Sequence, residues 1–559
     1  MKIKPVTIAA LLLFSIGAFA QHNEEVTIEG TYRPKVNKVE KLLPRPETPK
    51  PSFEMPGTEV NVLDIEHHSH LDLEKLSPLN YQGRNTQSPD AAQNFLMAGM
   101  GSRVSPVFLY KHNSNLTKNL GLGVGIQHYS SWLDLKEYAP SSFMNNGFDI
   151  GLASDKNKNV RLDGGIYYKN DMYHYNDANL TEKPQFYNTV GGRFGLASTS
   201  TRVGEVRHLG SVDYHYTFDN TFAKEHFVDV DYGIGYAQNW WGNKSHPQQI
   251  GVDLAFQYEY FDTSHTVGFD PVLGRDDLYL MKVSPFFEMG DEFYKLHLGV
   301  RVDGVNRIQN KDKFLGIYPD VSGSLFVMNK KLEFYAGLNG GRDLLTYTEI
   351  IHENPFTGCE YGLLAQNVKL GFDGGVRTNI AEVVDLHLGV RYRHTDNDPM
   401  FVTEQSSPSK FGLVYDETQW VRVLADLRVK LRNGLTADLG LAYNDCTPTH
   451  EEHAWYRPVV EGELKLTCDI NDKIALNTHV LYQGGRYAKV WNGSGGLSVN
   501  HDAVRMKDVL DLGIGADYRI NDQLSVFAKL DNVANQKYQL YYDYPVTGIQ
   551  FFAGLKLRF

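Results

Sequence analysis

From about residue 94 to the carboxyl terminus the chain alternates apolar and polar residues with a period of two, and nothing else in the sequence constrains the fold as strongly. Val421, Val423, Ala425, Leu427, Val429 and Leu431 fall on one side of a strand, with Arg422, Leu424, Asp426, Arg428, Lys430 and Arg432 on the other. After the turn residues Asn433 and Gly434 the alternation resumes with Leu435, Ala437, Leu439, Leu441 and Tyr443. Further copies run through 294–302, 368–376, 384–392, 460–468 and 474–482, and no helical period competes with them. Counting back from the end places strand starts near residues 547, 522, 505, 472, 455, 434, 417, 382, 366, 331, 315, 293, 276, 249, 226, 206, 186, 158, 146, 119, 105 and 93, which is twenty-two strands. Twenty and twenty-four are the neighbouring counts, decided by the first four strands and the stretch from Asn239 to Ser245. An even number of antiparallel strands, with one face for lipid and one for water, is the requirement for a membrane barrel. Connections alternate in length as that topology demands. Short turns fall at 433–434, 328–331, 521–522 and 470–472, and long loops at 344–365, 397–416 and 487–504, the latter two carrying Glu404 and Asn492 on the outer surface.

The last nine residues fit the same scheme. Phe551, Ala553, Leu555, Leu557 and Phe559 share one side of a closing strand, and Lys556 and Arg558 lie on the other. A final strand of this kind ending on Phe resembles the carboxyl-terminal assembly signal of outer-membrane β-barrels. The preceding residues Asn532, Val533, Asn535, Tyr538, Tyr544, Pro545 and Gly548 resemble the closing hairpin of TonB-dependent receptors. That family resemblance implies a 22-stranded transmembrane barrel over roughly residues 93–559, outer-membrane lipid around it, solute uptake, and a periplasmic TonB-type partner.

The amino terminus is compatible with export. Lys2 and Lys4 precede an apolar run from Val6 to Phe19, and Ala18, Phe19 and Ala20 have the small-x-small form of a cleavage site, so residues 1–20 read as a signal peptide without a following lipoprotein Cys. Downstream no run of about twenty apolar residues occurs, which leaves strands as the means of crossing a membrane. Residues 21–92 read as a periplasmic or lumenal arm. Its segment Glu25, Val26, Thr27 and Ile28 resembles the energy-coupling peptide of the same family, which can pair edge to edge with a partner strand. A linker follows with Pro34, Pro44, Pro46, Pro49, Pro51 and Pro56. The arm is too short for the family's plug domain, so an accessory or scaffold barrel within a larger outer-membrane assembly, and a passive porin, stand beside the uptake reading.

Chemistry other than passage finds little support. The formal charge of −12 is opposite to that of a phosphate-tracking surface, so no nucleic-acid partner is expected. No nucleophile elbow, zinc-protease helix motif or phosphate loop occurs, so no catalytic residues, enzyme activity or cofactor are assigned. Glu66, His67, His68, His70 and Asp72 are ligand types without a metal spacing, and no metal site is assigned. Of three Cys, Cys359 and Cys446 fall toward the outer side, where a disulfide between them is open, while Cys468 lies toward the other end and is expected free. Asp385, His387, Arg391 and Arg393 share one inward side of a strand, as do Glu461, Glu463, Lys465 and Asp469 of another and Lys295, His297 and Arg301 of a third.

Overall fold

The computed structural model describes residues 94–559 apart from short stretches within the connections; the arm and its Glu25–Ile28 segment lie outside the described residues. Twenty-two strands form one antiparallel sheet. In chain order they are β1 (Asn94–Gly101), β2 (Ser105–Thr117), β3 (Leu120–Ser131), β4 (Phe143–Asn157), β5 (Val160–Tyr173), β6 (Gln185–Ser198), β7 (Val206–Asp219) and β8 (Lys224–Gln238). Then follow β9 (Gln248–Asp262), β10 (Arg275–Gly290), β11 (Tyr294–Val305), β12 (Leu315–Val327), β13 (Leu332–Leu344), β14 (Ala365–Ile380) and β15 (Val384–Thr403). The last are β16 (Phe411–Lys430), β17 (Leu435–Pro448), β18 (Val460–Asp469), β19 (Ile474–Gly484), β20 (Val509–Arg519), β21 (Leu524–Asp531) and β22 (Gln550–Arg558). The count of twenty-two holds, and every strand begins within a few residues of its expected start.

Each strand pairs with its chain neighbours, and the sheet closes where β1 meets β22, from Phe95 opposite Arg558 to Gly101 opposite Phe552. The ladder continues past the last assigned pair, with Asn94 and Phe559 exchanging backbone hydrogen bonds of 2.8 and 3.1 Å. At this seam Gly99 lies opposite Gly554, and a Cβ added to Gly554 would stand 2.2 Å from the Ala98 carbonyl oxygen. The Phe527 ring covers the bare inner face of the pair, and the Lys556 ammonium lies above that ring.

Outward positions carry the apolar residues. Phe551, Leu555 and Phe559 are 46, 49 and 53% exposed, as a lipid-facing row requires, whereas the intervening Phe552 is buried. Inward positions are polar and pair across neighbouring strands: Asp373 receives Arg391 at 2.7 Å and Arg393 at 2.9 Å, and His387 lies 3.1 Å from Asp426. His297 sits between Glu288 and Asp320, and Glu463 pairs with Lys465. An exception within the inward row, Leu424, is buried against Ala442.

The inner-rim turns are built by side chains that replace backbone acceptors. Asn471 accepts from the amides of Lys473 and Ile474, Asn521 from those of Gln523 and Leu524, and Asp291 from those of Phe293 and Tyr294. At the outer rim two expectations are corrected, and the state of Cys446, left open by the sequence, is visible. Residues 487–492 and 500–505, within the expected loop 487–504, pair as a small hairpin. Glu404 is buried rather than displayed, because its connection folds inward and its amide donates to the Lys410 carbonyl. Cys446 is free, and its sulfur lies on the inner side against the Arg457 guanidinium at 3.4 Å; Cys359 lies outside the described residues.

Two measurements test this architecture. Leu555→Arg places a charge on the lipid face and is expected to cost about 2–4 kcal/mol near mid-depth, read from urea unfolding in lipid vesicles, and deletion of Phe559 is expected to reduce the amount of heat-modifiable barrel in the membrane. For sidedness, Leu133→Cys, in an outer connection and 49% exposed, should react with an impermeant thiol reagent on whole cells, and Asp472→Cys, exposed in an inner-rim turn, only after permeabilisation. The reverse labelling would invert the orientation.

Candidate functional site

The connection between β13 and β14 folds into the outer mouth, onto the β6–β8 wall and the neighbouring connections. Near the end of β13 a bulge at Asn339–Gly341 shifts the register, with Gly341 at φ +145°, and pairing with β14 continues to Leu344 before the chain leaves the wall. Thr346 then caps a short helix, α1 (Tyr347–Glu353), through a complete capping box with Glu349. Seven residues do not hold a helix in water on their own. Contacts with the barrel must therefore hold α1, and they come from two sides.

On one side the start of α1 is latched to the wall. Glu225 of β8, fully buried, accepts the backbone N–H of Thr348 at 3.1 Å, together with the N–H of Tyr347 and the Thr348 hydroxyl. His215 of β7 faces the same carboxylate at 3.2 Å. A chain of hydroxyls continues from Thr348 to Thr217 at 2.6 Å and on to Thr189 of β6 at 2.9 Å. The Tyr347 hydroxyl donates to Asp219 at 3.0 Å, and Gln185 donates to the same oxygen at 2.9 Å. A carboxylate at the first turn of a helix also meets the positive end of its dipole.

On the other side the loop leaving α1 is bound to neighbouring connections by backbone and aromatic contacts. Tyr187 and Tyr175 donate to the carbonyls of Pro355 at 2.9 Å and Thr357 at 3.1 Å. Phe356 and Phe411 exchange backbone contacts through Phe411 N–H at 3.1 Å and Gly358 N–H at 2.8 Å. The Phe356 ring stacks on Tyr544 with centroids 3.6 Å apart, and Tyr541 donates to the Glu353 carbonyl at 2.8 Å. Tyr541 and Tyr544 stand on the 532–549 connection, whose form explains the motif residues in it. Asn532 and Asn535 take positive φ values of 48° and 49°, and the Asn532 side chain bonds Gln536 on one limb and Thr547 on the other. Tyr538 donates to Asp511 at 2.7 Å, and Arg486, 1% exposed, donates to the carbonyls of Gln539 and Leu540. The result is a plug made of loops, with Tyr347, Ile350, Ile351, Leu363, Phe411 and Trp455 in one buried cluster.

Among the inward residues expected from sequence, the structure joins Asp385, His387, Arg391 and Arg393 to the wall's ion pairs rather than to the mouth. The latch residues Glu225, Thr348 and Asp219 carried no sequence signal, since a lone Glu near a strand end is indistinguishable from any other inward charge. One group of metal-ligand types occurs among the described residues, His394, Asp396 and Glu417, and the Lys369 ammonium already pairs with both of its carboxylates, at 2.6 and 2.8 Å.

No protein-family model matches the chain, and no curated protein matches it. Solved structures do. The barrel superposes on the copper transporter OprC with a TM-score of 0.59 at 14% identity, over 84% of this chain and 81% of that one. It superposes on the ferric-catecholate import receptor Fiu from K12 E. coli with 0.60 at 9% identity, over 84% and 82%. The siderophore receptor PirA from Acinetobacter baumannii gives 0.60 at 11% identity, over 84% and 80%. The chain thus shares the fold of these receptors and transporters, a closed antiparallel barrel of twenty-two strands.

The latch can be tested directly. Glu225→Ala removes the acceptor of two helix amides and a hydroxyl inside a buried network, a change expected to weaken closure by about 3–5 kcal/mol. Planar-bilayer recordings should show long openings in the variant and rare ones in the parent. Equal conductance in both, with the barrel intact by heat modifiability, would remove α1 from the role of gate.

Proposed function

We propose that the protein takes up a solute across the outer membrane, with α1 and its loop as the gate and the arm as the link to a periplasmic energy-transducing partner. The observation that carries this reading is the mouth itself: a wide barrel shut by a loop that is fastened through hydrogen bonds and aromatic contacts rather than built into the wall. A permanently open pore does not need such a closure, which counts against a passive porin. Glu25, Val26, Thr27 and Ile28 supply a β-prone peptide for strand addition, and the Pro-rich tether of about twenty-five residues, at roughly 3 Å each, reaches about 75 Å when extended.

The second reading is an accessory barrel of a larger outer-membrane assembly. It is favoured by the closure through the chain's own outer loops, which leaves an outer surface formed by the β15–β16 connection, the 487–505 hairpin and the 532–549 connection.

Replacing Val26 and Ile28 by Pro separates the two. Pro cannot donate the pairing hydrogen bonds, so the full-length double variant should capture the periplasmic domain of a TonB-type protein at least tenfold less than the parent. Equal capture, or capture by neither, removes the energy-coupled reading, and chains co-purifying with the native protein in mild detergent then identify the assembly.

A further inference from the structure

Beside α1, on the face away from the latch, lies a chamber of about 560 Å³, bounded by the outer ends of β13–β15 and by the connections at 455–458 and 540–541. That volume falls in the range of small-molecule sites. Its charge is one-sided. Of the carboxylates lining it, Asp398 is neutralised by a two-pronged contact with Arg457 at 2.6 and 2.7 Å, and Asp343 by Lys282. Glu349 and Glu353 make no ion pair among the described residues, although the Arg457 guanidinium, which also lines the chamber and is held by Asp398, acts on Glu353. They stand four residues apart on α1, hence on one helical face about 6 Å from each other. The Glu349 carboxylate serves the capping box. The Glu353 carboxylate makes no hydrogen bond among the described residues, and it is open to the chamber although deep within the protein. Desolvation raises the protonation range of both groups, and Arg457 opposes the shift at Glu353.

The wall opposite is aromatic, with Trp455, Tyr456, Tyr541 and Phe401 lining the same space. Tyr456 is 8% exposed. Carboxylates on one side and ring faces on the other attract the same kind of group, a cation that sheds its water readily. A bare metal ion fits less well, because the chamber does not bring three ligand atoms together.

We infer that this chamber binds an organic cation, a solute bearing amine or quaternary ammonium groups, held by Glu349 and Glu353 against the rings of Trp455, Tyr456 and Tyr541. The assignment rests on the uptake reading above for its biological meaning, but its binding chemistry stands on the chamber alone. An occupant touches α1 directly, so filling the chamber acts on the same element that closes the mouth.

The test uses the full-length protein in detergent and isothermal titration with spermine and tetraethylammonium as cations, maltose as a neutral probe and citrate as an anion. The parent and Glu225→Ala are compared, the latter so that a closed mouth does not hide the chamber. At pH 8 a cation probe should bind, Glu353→Gln should weaken it at least tenfold, and the double variant E349Q/E353Q should abolish it. Gln at position 349 keeps the capping-box geometry, and heat modifiability checks that each variant is folded. Lowering the pH from 8 to 5 should weaken binding in the parent, and less steeply in E353Q, which keeps only the Glu349 carboxylate to take up a proton. No cation binding to either protein, equal binding of maltose or citrate, or full binding by E349Q/E353Q would overturn the assignment. Loss of partner capture in the Val26 and Ile28 variant with cation binding retained would overturn energy coupling and leave the chamber standing.

Discussion

Every backbone N–H and C=O that faces hydrocarbon must be paired within the protein, and closure of the sheet between β1 and β22 is what meets that demand here. An open edge would leave a row of unpaired groups in lipid. The closing register sets the rest of the wall, because a shift by one residue would turn Leu555 and Phe551 inward and Lys556 and Arg558 into the membrane. The Gly99 and Gly554 pair lets the two closing strands approach where side chains would collide. Lys556, pointing inward from the same strand, is then free to meet Asp517 of β20.

Closure also creates a wide interior whose residues cannot reach each other across the lumen, so they pair sideways. Asp373 of β14 with two Arg of β15, His387 of β15 with Asp426 of β16, and Arg342 of β13 with Asp303 of β11 repeat one solution. Each pair spans neighbouring or next-neighbouring strands. Partly solvated pairs of this kind add little stability individually, but they keep an inward charge from being left alone. The mixed sign of the interior charges follows from this pairing and carries no information about the solute.

Local pattern made the wall readable from sequence. Strand position depends on alternation within ten or fifteen residues, and turn position on residues such as Asn471, Asn521 and Gly434 whose own side chains or φ angles make the turn. The closure of the mouth depends on contacts between residues far apart in the chain. Thr348 meets Glu225 across 123 positions, and Tyr541 meets Glu353 across 188. Nothing in the stretch 344–365 marks it as an inward fold except the Thr346 to Glu349 capping box, which signals a helix start but not its destination. The same blindness made Glu404 look like a surface residue and left Cys446 open to a partner, when its neighbour is Arg457 from the next connection. The Asn532, Tyr538 and Tyr544 motif was legible as a resemblance before its reason was visible. These residues shape and clamp the connection that presses on the loop leaving α1.

The two sides of the plug differ in kind, and that difference decides how it can move. The aromatic side, around Phe356, Tyr544 and Phe411, joins ring burial, which varies smoothly with small displacements, to the hydrogen bonds made by Phe411, Gly358 and Tyr541. The latch on the β6–β8 wall is directional: once Thr348 slips from Glu225 by an ångström or two, its hydrogen bonds are lost together and water enters a buried carboxylate. A ligand shifts an element such as α1 only by as much as it prefers one position of it over another. A solute in the chamber lies on the face of α1 opposite the latch, between Glu353 and the aromatic wall. A solute held there would act on α1 from the side on which Tyr541 donates to the Glu353 carbonyl, and not from the side of Glu225.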